Sequence, residues 1–493
     1  MVAKTFILFA ISCVTAVASA SDIFSTLDTT LKQGNGNFII QLSDATCIKD
    51  FVPKFIDNAL DVYTQAAGAG QVAKRNNNKI VRRDTDAEQV HVFDAYDFGS
   101  QFKAITVKFE DLDLVKALLE TFDTEIIKII PDMDIKFDLP TPGVRGSNKF
   151  HAKRATAQRA GNFHFDSYKH DANCPHAHDD EEIVEKRAVS VPSNATASAT
   201  YVSQTGAQWN LARISERSLD LTKPYIYDST AGSAAYVYIV DDGLNTAHNE
   251  FEGRATWGFS AYTGQTKLGT GHGTHVGGIV GGKTYGVAKK TNLIGVKVLD
   301  DTGSGAISAI LAGLQFVTND AKKHVGKNII NMSLGLDTNG ATNPTYDSFN
   351  TAITAVVNGG IPLIAAAGNA GLTTCQALPA GNPNVYAVAA TDKTDTQASY
   401  SNWGSCTQIY APGSSILSSY ISGVSSTATL SGTSMASPHV AGVAALLINS
   451  LSNPSPAQVY AKLSSLGTTG KVKSVSSGTP NVLLFNGQTQ TTN

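Results

Sequence analysis

The stretch "AYVYIVDDG", residues 235–243, sets six apolar residues in succession before two aspartates and a glycine. A half-buried strand alternates apolar with polar side chains, whereas a continuous apolar run is the mark of a strand covered on both faces. The same pattern recurs at "NLIGVKVL" (292–299), "NIINMSL" (328–334), "PLIAAAG" (362–368) and "VYAVAA" (385–390). Between these runs, "HGTHVGGIVGG" (272–282), "GAISAILAGLQFVTNDAKKH" (305–324) and "DSFNTAITAVVNGG" (347–360) read as helices. Strands alternating with helices imply an α/β fold, with a mainly parallel sheet between two helical layers. In such sheets the functional groups collect at the carboxyl ends of the strands.

The chain has 493 residues, 42% of them hydrophobic and 16% charged, with a formal net charge of -3, so it can bury a substantial core. That balance gives no reason to expect nucleic acid or an anionic membrane as partner. At the start, Lys4 precedes the apolar run "FILFAISCVTAV", followed by Ala18-Ser19-Ala20. This is the pattern of a secretory signal peptide (1–20) cleaved after Ala20; the run is too short to span a bilayer.

Charge marks a second boundary. Up to Arg187 the chain carries 22 Lys+Arg and 27 Asp+Glu, against 16 and 14 in the longer remainder. Lys186-Arg187 stands at that switch in a polar segment, where a secreted precursor would be cut. Residues 21–140 read as a small α+β unit: "NFIIQL" and the alternating "KAITVKF" are strands, and "DLDLVKALLETF" has helical spacing. Residues 141–187 form a charged linker. Its His170, Cys174, His176 and His178 are metal-ligand types, but they read as a solvated segment removed on maturation. Residues 188–493 are the main domain. In an oxidising compartment Cys375 and Cys406 are expected to pair, while Cys47 and Cys174 are left open. Asn194 begins a glycosylation sequon; Asn331 begins another, on a strand expected to be buried and hence unmodified.

Chemistry-bearing residues stand where the fold rule says to look. Asp241 and Asp242 follow one apolar strand, and Asn369 follows another. His272 opens a helix between glycines, and "SGTSMASPHVAGVAALL" (431–447) opens a further helix with Ser431, Ser434 and Ser437. Acyl transfer by a hydroxyl needs a nucleophile, an imidazole to take its proton, a carboxylate to orient the imidazole, and donors for the oxyanion. Ser434 at a helix N-terminus offers its own N–H, and Asn369 a side-chain amide. Pro438 is tolerated because the first helical turn leaves N–H groups unpaired.

These blocks, "IVDDG", "GHGTHVGG", "AAAGN" and "SGTSMASPHVAG", resemble the signature blocks of subtilisin-like serine proteases in that family's order, Asp, His, Ser. "YGVAKKTNLIGVKVLDDTGSG" and "SNWGSC" narrow the resemblance to the proteinase K branch, near fungal cerevisin-type members. The resemblance implies a subtilisin-like three-layer fold. It makes Asp241 the orienting carboxylate, His272 the general base, Ser434 the nucleophile and Asn369 the second oxyanion donor. It further implies that Gly303, Ser304 and Gly305, with Ser333, Leu334 and Gly335, clamp substrate as an added strand. Ala366, Ala367 and Gly368 would line the pocket for the residue before the cut bond. Residues 21–140 resemble the family's inhibitor-type propeptide, an intramolecular inhibitor.

Two positions depart from the branch. Asp242 stands where most members have Thr or Ser, as in dibasic-specific convertases, and is expected to lower the local potential or hold a Lys or Arg. Relatives bind calcium through carbonyls matching Pro383 and Val385 and an aspartate, but Gln408 stands at the aspartate position, so no metal is expected there. The expectation is a monomeric, secreted or vacuolar, broad-specificity serine endopeptidase that prefers an apolar or aromatic residue before the cut bond. It acts on proteins and peptides, requires no cofactor, and has a separate dibasic-specific protease cutting after Arg187. A catalytically silent binding protein and a dibasic convertase are the alternatives.

Overall fold

The structure, a computed structural model, describes residues 34–66, 73–76, 79–82, 88–109, 112–137, 139–140, 200–338, 340–341 and 343–488. The expected signal peptide with Ala20, the expected linker with Lys186 and Arg187, the histidine cluster, Cys174 and Asn194 lie outside the described residues.

The N-terminal unit is built on one antiparallel sheet. Its strands are β1 (Asn37–Leu42), β2 (Ala73–Asn76), β3 (Lys79–Arg82), β4 (Glu88–Asp97), β5 (Lys103–Phe109) and β6 (Ile126–Pro131), in the order β2-β3-β4-β5-β1-β6. Helices α1 (Ile48–Ala66) and α2 (Leu112–Thr121) cover one face. Alternation decides the facing: Phe38, Ile40 and Leu42 of β1 pack with Phe51, Phe55 and Leu118 of those helices, while Ile39 points the other way. The run "EIIKIIPDMDIKF" is two strands, β6 and β7 (Asp134–Lys136), and β7 leaves the sheet altogether.

The larger domain follows. A two-stranded pair, β8 (Tyr201–Gln204) and β9 (Tyr225–Asp228), flanks helix α3 (Trp209–Ile214). The central sheet then collects β10 (Tyr236–Asp241), β11 (Ala255–Ser260), β12 (Asn292–Lys297), β14 (Asn328–Met332), β16 (Leu363–Ala366), β18 (Tyr386–Thr391), β19 (Ile409–Pro412), β22 (Thr468–Thr469) and β23 (Val482–Leu483). Their order is β11-β12-β10-β14-β16-β18-β19-β23-β22, parallel throughout except for the β22–β23 pair. Short strands outside it are β13 (Ser304–Ala306), β15 (Leu336–Asp337), β17 (Ala377–Leu378), β20 (Ile416–Ser419) and β21 (Thr427–Leu430).

Helices lie on both faces of this sheet, as the apolar runs require. They are α4 (His272–Gly281), α5 (Ile307–Ala321), α6 (Pro344–Asn358), α7 (Thr433–Ser450) and α8 (Pro456–Leu466). Along β10, Val237 and Ile239 join a core with Val276 of α4 and Val440 of α7, whereas Tyr238 and Val240 join another with Ile310 of α5 and Ile353 of α6. The second core does not end at the helices. Tyr96, Phe102, Ala104 and Ile130 of the N-terminal unit belong to it, so the open face of that unit's sheet rests on α5 and α6.

Candidate active site

Parallel register brings the strand ends to one edge, and Asp241 closes β10 there, fully buried. Helix α4 starts at the same edge with His272, whose Nδ1 lies 2.8 Å from Asp241 Oδ1. The N–H of Asp242 donates to that oxygen as well, at 2.8 Å. A proton held on Nδ1 by the carboxylate leaves Nε2 as the bare acceptor, the tautomer a general base needs. Burial pulls the imidazole pKa down, but the charge and hydrogen bond of Asp241, with Asp242 behind it, outweigh burial and the net direction is up. Nε2 of His272 is buried without a hydrogen-bond partner among the described residues.

Ser434 stands in the first turn of α7, only 4% exposed. The helix begins after Gly432, which has no side chain to cap it, and Asn369 caps it from the end of β16. Asn369 Oδ1 accepts the Thr433 N–H at 2.8 Å and the Thr433 hydroxyl at 2.9 Å. That fixes which way the amide points: its oxygen is spent on the helix, and Nδ2 is turned toward Gly432. A Cβ on Gly432 would meet Nδ2 at 3.4 Å and the Pro140 ring at 2.9 Å, so glycine keeps this space open. The Ser434 hydroxyl donates to the Ser333 carbonyl at 3.0 Å. In return the Ser333 hydroxyl donates to the Ser434 carbonyl at 2.9 Å, and Asn331 Nδ2 donates to the Ser333 hydroxyl at 2.9 Å. Ser437 donates to Asn331 Oδ1 at 2.8 Å, and Ser431 accepts the Ser415 N–H at 2.8 Å. Thus the two flanking serines brace the turn, and the buried Asn331 amide is committed to the core.

The other histidines are structural by position. His275 Nε2 faces the carbonyls of Ile416 and Ala428 at 3.1 and 3.0 Å, and burial pushes its pKa down to about 3. Burial likewise pushes His439 down to about 4. Both are therefore neutral near physiological pH.

The N-terminal unit occupies the cleft. Strand β7 pairs antiparallel with β13, Lys136 opposite Ser304 and Ile135 opposite Gly305, and the Phe137 N–H donates to the Gly303 carbonyl at 3.1 Å. Beyond it, Phe137 and Leu139 line the pocket that holds Ser434 and Asn369. Ser333, Leu334 and Gly335 form another wall of that pocket, with Ala366 and Gly368. Ala367 faces away, packed with Ala389 and Tyr410. Sequence reading missed the tail residues Phe137 and Leu139 and the caps on the two site helices. Their signal, a helix start with no Ser, Thr, Asp or Asn at the cap position, is a missing feature and is easily overlooked.

Among the described residues no Lys or Arg bonds the Asp242 carboxylate; the Lys297 ammonium bonds its main-chain carbonyl instead, at 2.5 Å. At the expected calcium position, Gln408 Oε1 accepts the Ala387 N–H at 2.5 Å. A neutral, already bonded amide beside the Pro383 and Val385 segment does not fit a hard dication that wants carboxylate oxygens. Cys375 and Cys406 are joined in a disulfide, as expected, with Cα atoms 5.1 Å apart. No helix among the described residues is long and apolar enough to cross a membrane.

The subtilase family matches residues 232–478, half of the chain. The chain is 43% identical over 285 residues to subtilisin-like protease 2 of Pseudogymnoascus destructans, covering 58% of this chain and 68% of that relative. It is 45% identical over 291 residues to the subtilisin-like serine protease AsES of Sarocladium strictum, covering 59% and 72%. Against the cuticle-degrading protease of Metarhizium anisopliae it is 43% identical over 312 residues, covering 63% and 76%. A solved cold-adapted subtilisin-like serine proteinase superposes with a TM-score of 0.52 at 37% identity, covering 57% of this chain and 98% of that one. Strand-end carboxylate, helix-borne imidazole, hydroxyl at a helix start and matched sequence together make this chain a member of the subtilase family, a subtilisin-like serine endopeptidase.

Proposed function

We propose that the chain cleaves internal peptide bonds with broad specificity through Asp241, His272 and Ser434, and that it is made as a zymogen whose N-terminal unit inhibits it. The observation that supports this reading is the buried Asp241–His272 bond at 2.8 Å, taken with a pocket that Ser434 and Asn369 line together. In the reaction Ser434 swings its hydroxyl from the Ser333 carbonyl to His272 Nε2, which takes the proton as Oγ attacks the substrate carbonyl. The Ser434 N–H and Asn369 Nδ2 receive the oxyanion, and Asp241 stabilises the imidazolium. His272 then protonates the leaving amine, and water repeats the sequence on the acyl-enzyme.

Substrate backbone is read by β13, the edge that β7 occupies in the zymogen. Ala366, Gly368 and Gly335 offer a pocket wall without acids, which favours an apolar or aromatic residue before the cut bond. Such a pocket handles Arg187 poorly, so a separate dibasic-specific protease makes the cut after Lys186-Arg187. The mature chain starts at Ala188, is secreted or delivered to a vacuole, acts as a monomer and needs no metal.

The test is labelling by a fluorophosphonate of the fully processed protein. Labelling that disappears in Ser434→Ala, with about a millionfold loss of kcat, is expected. Processed protein that never labels would mean a silent binding protein. Faster cleavage of Lys-Arg peptides than of Phe or Leu peptides would mean a convertase.

A further inference from the structure

Asp242 is the one departure at the strand end that the proposed reaction does not use, and the structure gives its carboxylate a definite task. It is fully buried. Oδ2 accepts the Thr270 N–H at 2.7 Å and the Thr270 hydroxyl at 2.5 Å, and Oδ1 accepts the Gly273 N–H at 2.8 Å. Gly273 lies in the first turn of α4, next to His272. The cap position of that helix is Gly271, which has φ +97° and no side chain to offer. The site is closed around the carboxylate: a Cβ on Gly269 would come within 2.6 Å of Asp242 Cγ, and one on Gly273 within 3.2 Å of Oδ1. The loop 269–273 is therefore wrapped on this one side chain, and each of the three donors it presents requires an acceptor.

Resting on the triad reading above, we propose that Asp242 is a positioning residue. As an anion it ties the loop and helix start that carry His272 to the strand end that carries Asp241, so the acid limb of the activity profile depends on two groups, not one. An anion suits three converging donors and a helix N-terminus; a protonated acid would aim its own hydrogen at one of them. Burial, then the neighbouring Asp241, push the Asp242 pKa up to about 6, while His272, Thr270 and Gly273 pull it down. The charged and titratable groups around it are Asp241 on β10, His272 on α4 and Lys297 on β12, which bonds its carbonyl and Asp301. Tyr420 is the fourth, its hydroxyl on the Thr270 carbonyl at 2.8 Å. As pH falls through about 6 the carboxylate gains a proton, the clamp loosens, and His272 loses a neighbouring negative charge that supported its own protonation.

The closing experiment measures kcat and KM against pH on processed wild type, Asp242→Asn and Asp242→Thr, using a neutral peptide substrate. Wild type is expected to lose activity on the acid side more steeply than one proton allows. Asp242→Asn keeps the shape but offers one acceptor oxygen for three donors. It should lower kcat about 10- to 100-fold with KM nearly unchanged, since misplacement of a catalytic group costs this much. Both variants should show a one-proton acid limb displaced to lower pH. A limb unchanged in slope and position would overturn the proposal, as would a loss confined to KM for substrates with a basic residue near the cut. A readout that needs no variant is the His272 ring proton shift in inhibitor-blocked wild type. Two inflections are expected, and a single one would overturn the proposal. Fluorophosphonate labelling of wild type reports on the triad separately, so failure of that reading is distinguishable from failure of this one.

Discussion

Three helices at the reactive edge start in the opposite way from two others, α6 and α8. Helix α6 is capped by its own Asn343, which accepts the Thr345 N–H at 2.8 Å. Helix α8 carries a complete capping box from Ser455 and Gln458. At the edge where the chemistry gathers, α4, α5 and α7 follow Gly271, Ala306 and Gly432, none of which caps through its side chain. Their caps come from far along the chain: Asp242 for α4, Asn369 for α7, and Asp132 of the N-terminal unit for α5, through the Ser308 N–H at 3.0 Å and the Ser308 hydroxyl. A local cap stabilises one helix. A distant cap fixes where a helix start stands relative to another element, which is what a reacting geometry requires.

The contrast can be broken in order of effect. Asn369→Ala removes a cap and the proposed oxyanion donor together, and kcat should fall about 100- to 1,000-fold, read with a peptide amide substrate. Asp132→Ala leaves the α5 start without its buried acceptor and loosens the unit that supplies it, by about 2 kcal/mol. Added as a separate chain to processed enzyme, the variant unit should inhibit with a Ki raised about 30-fold, while turnover by the enzyme alone is unchanged. If Ki does not move, the α5 cap is incidental to docking. Ser455→Ala should cost about 1 kcal/mol in denaturant unfolding and leave kcat/KM untouched. An activity loss there would show that the two classes of cap are not functionally distinct.

The same contrast explains what could be read from the sequence. The apolar runs at 235–240, 328–334 and 362–368 announced a parallel sheet because burial on both faces is written into each residue. Asp241, His272, Asn369 and Ser434 were legible through the residues beside them. The Ser455 box is likewise a local pattern. Asp132 and Asp242 were not legible as caps, because the N–H groups they accept stand 176 and 31 residues away in the chain. Nor was the split of "EIIKIIPDMDIKF", whose last strand pairs with β13 in another domain. Ala367, expected in the pocket wall, turns into the core because side chains alternate along the strand that ends beside it.

Strand β13 carries one more consequence. Whenever β7 lifts away, β13 loses its partner strand, while the Ser304 N–H and carbonyl stay bonded to Asp300. A long flat edge without a partner would recruit further copies of the same chain and grow into aggregates. Three residues flanked by Gly303 are too few to template another molecule, and in the proposed reaction they would hold a peptide for a single turnover. Shortness here separates a protease from a seed.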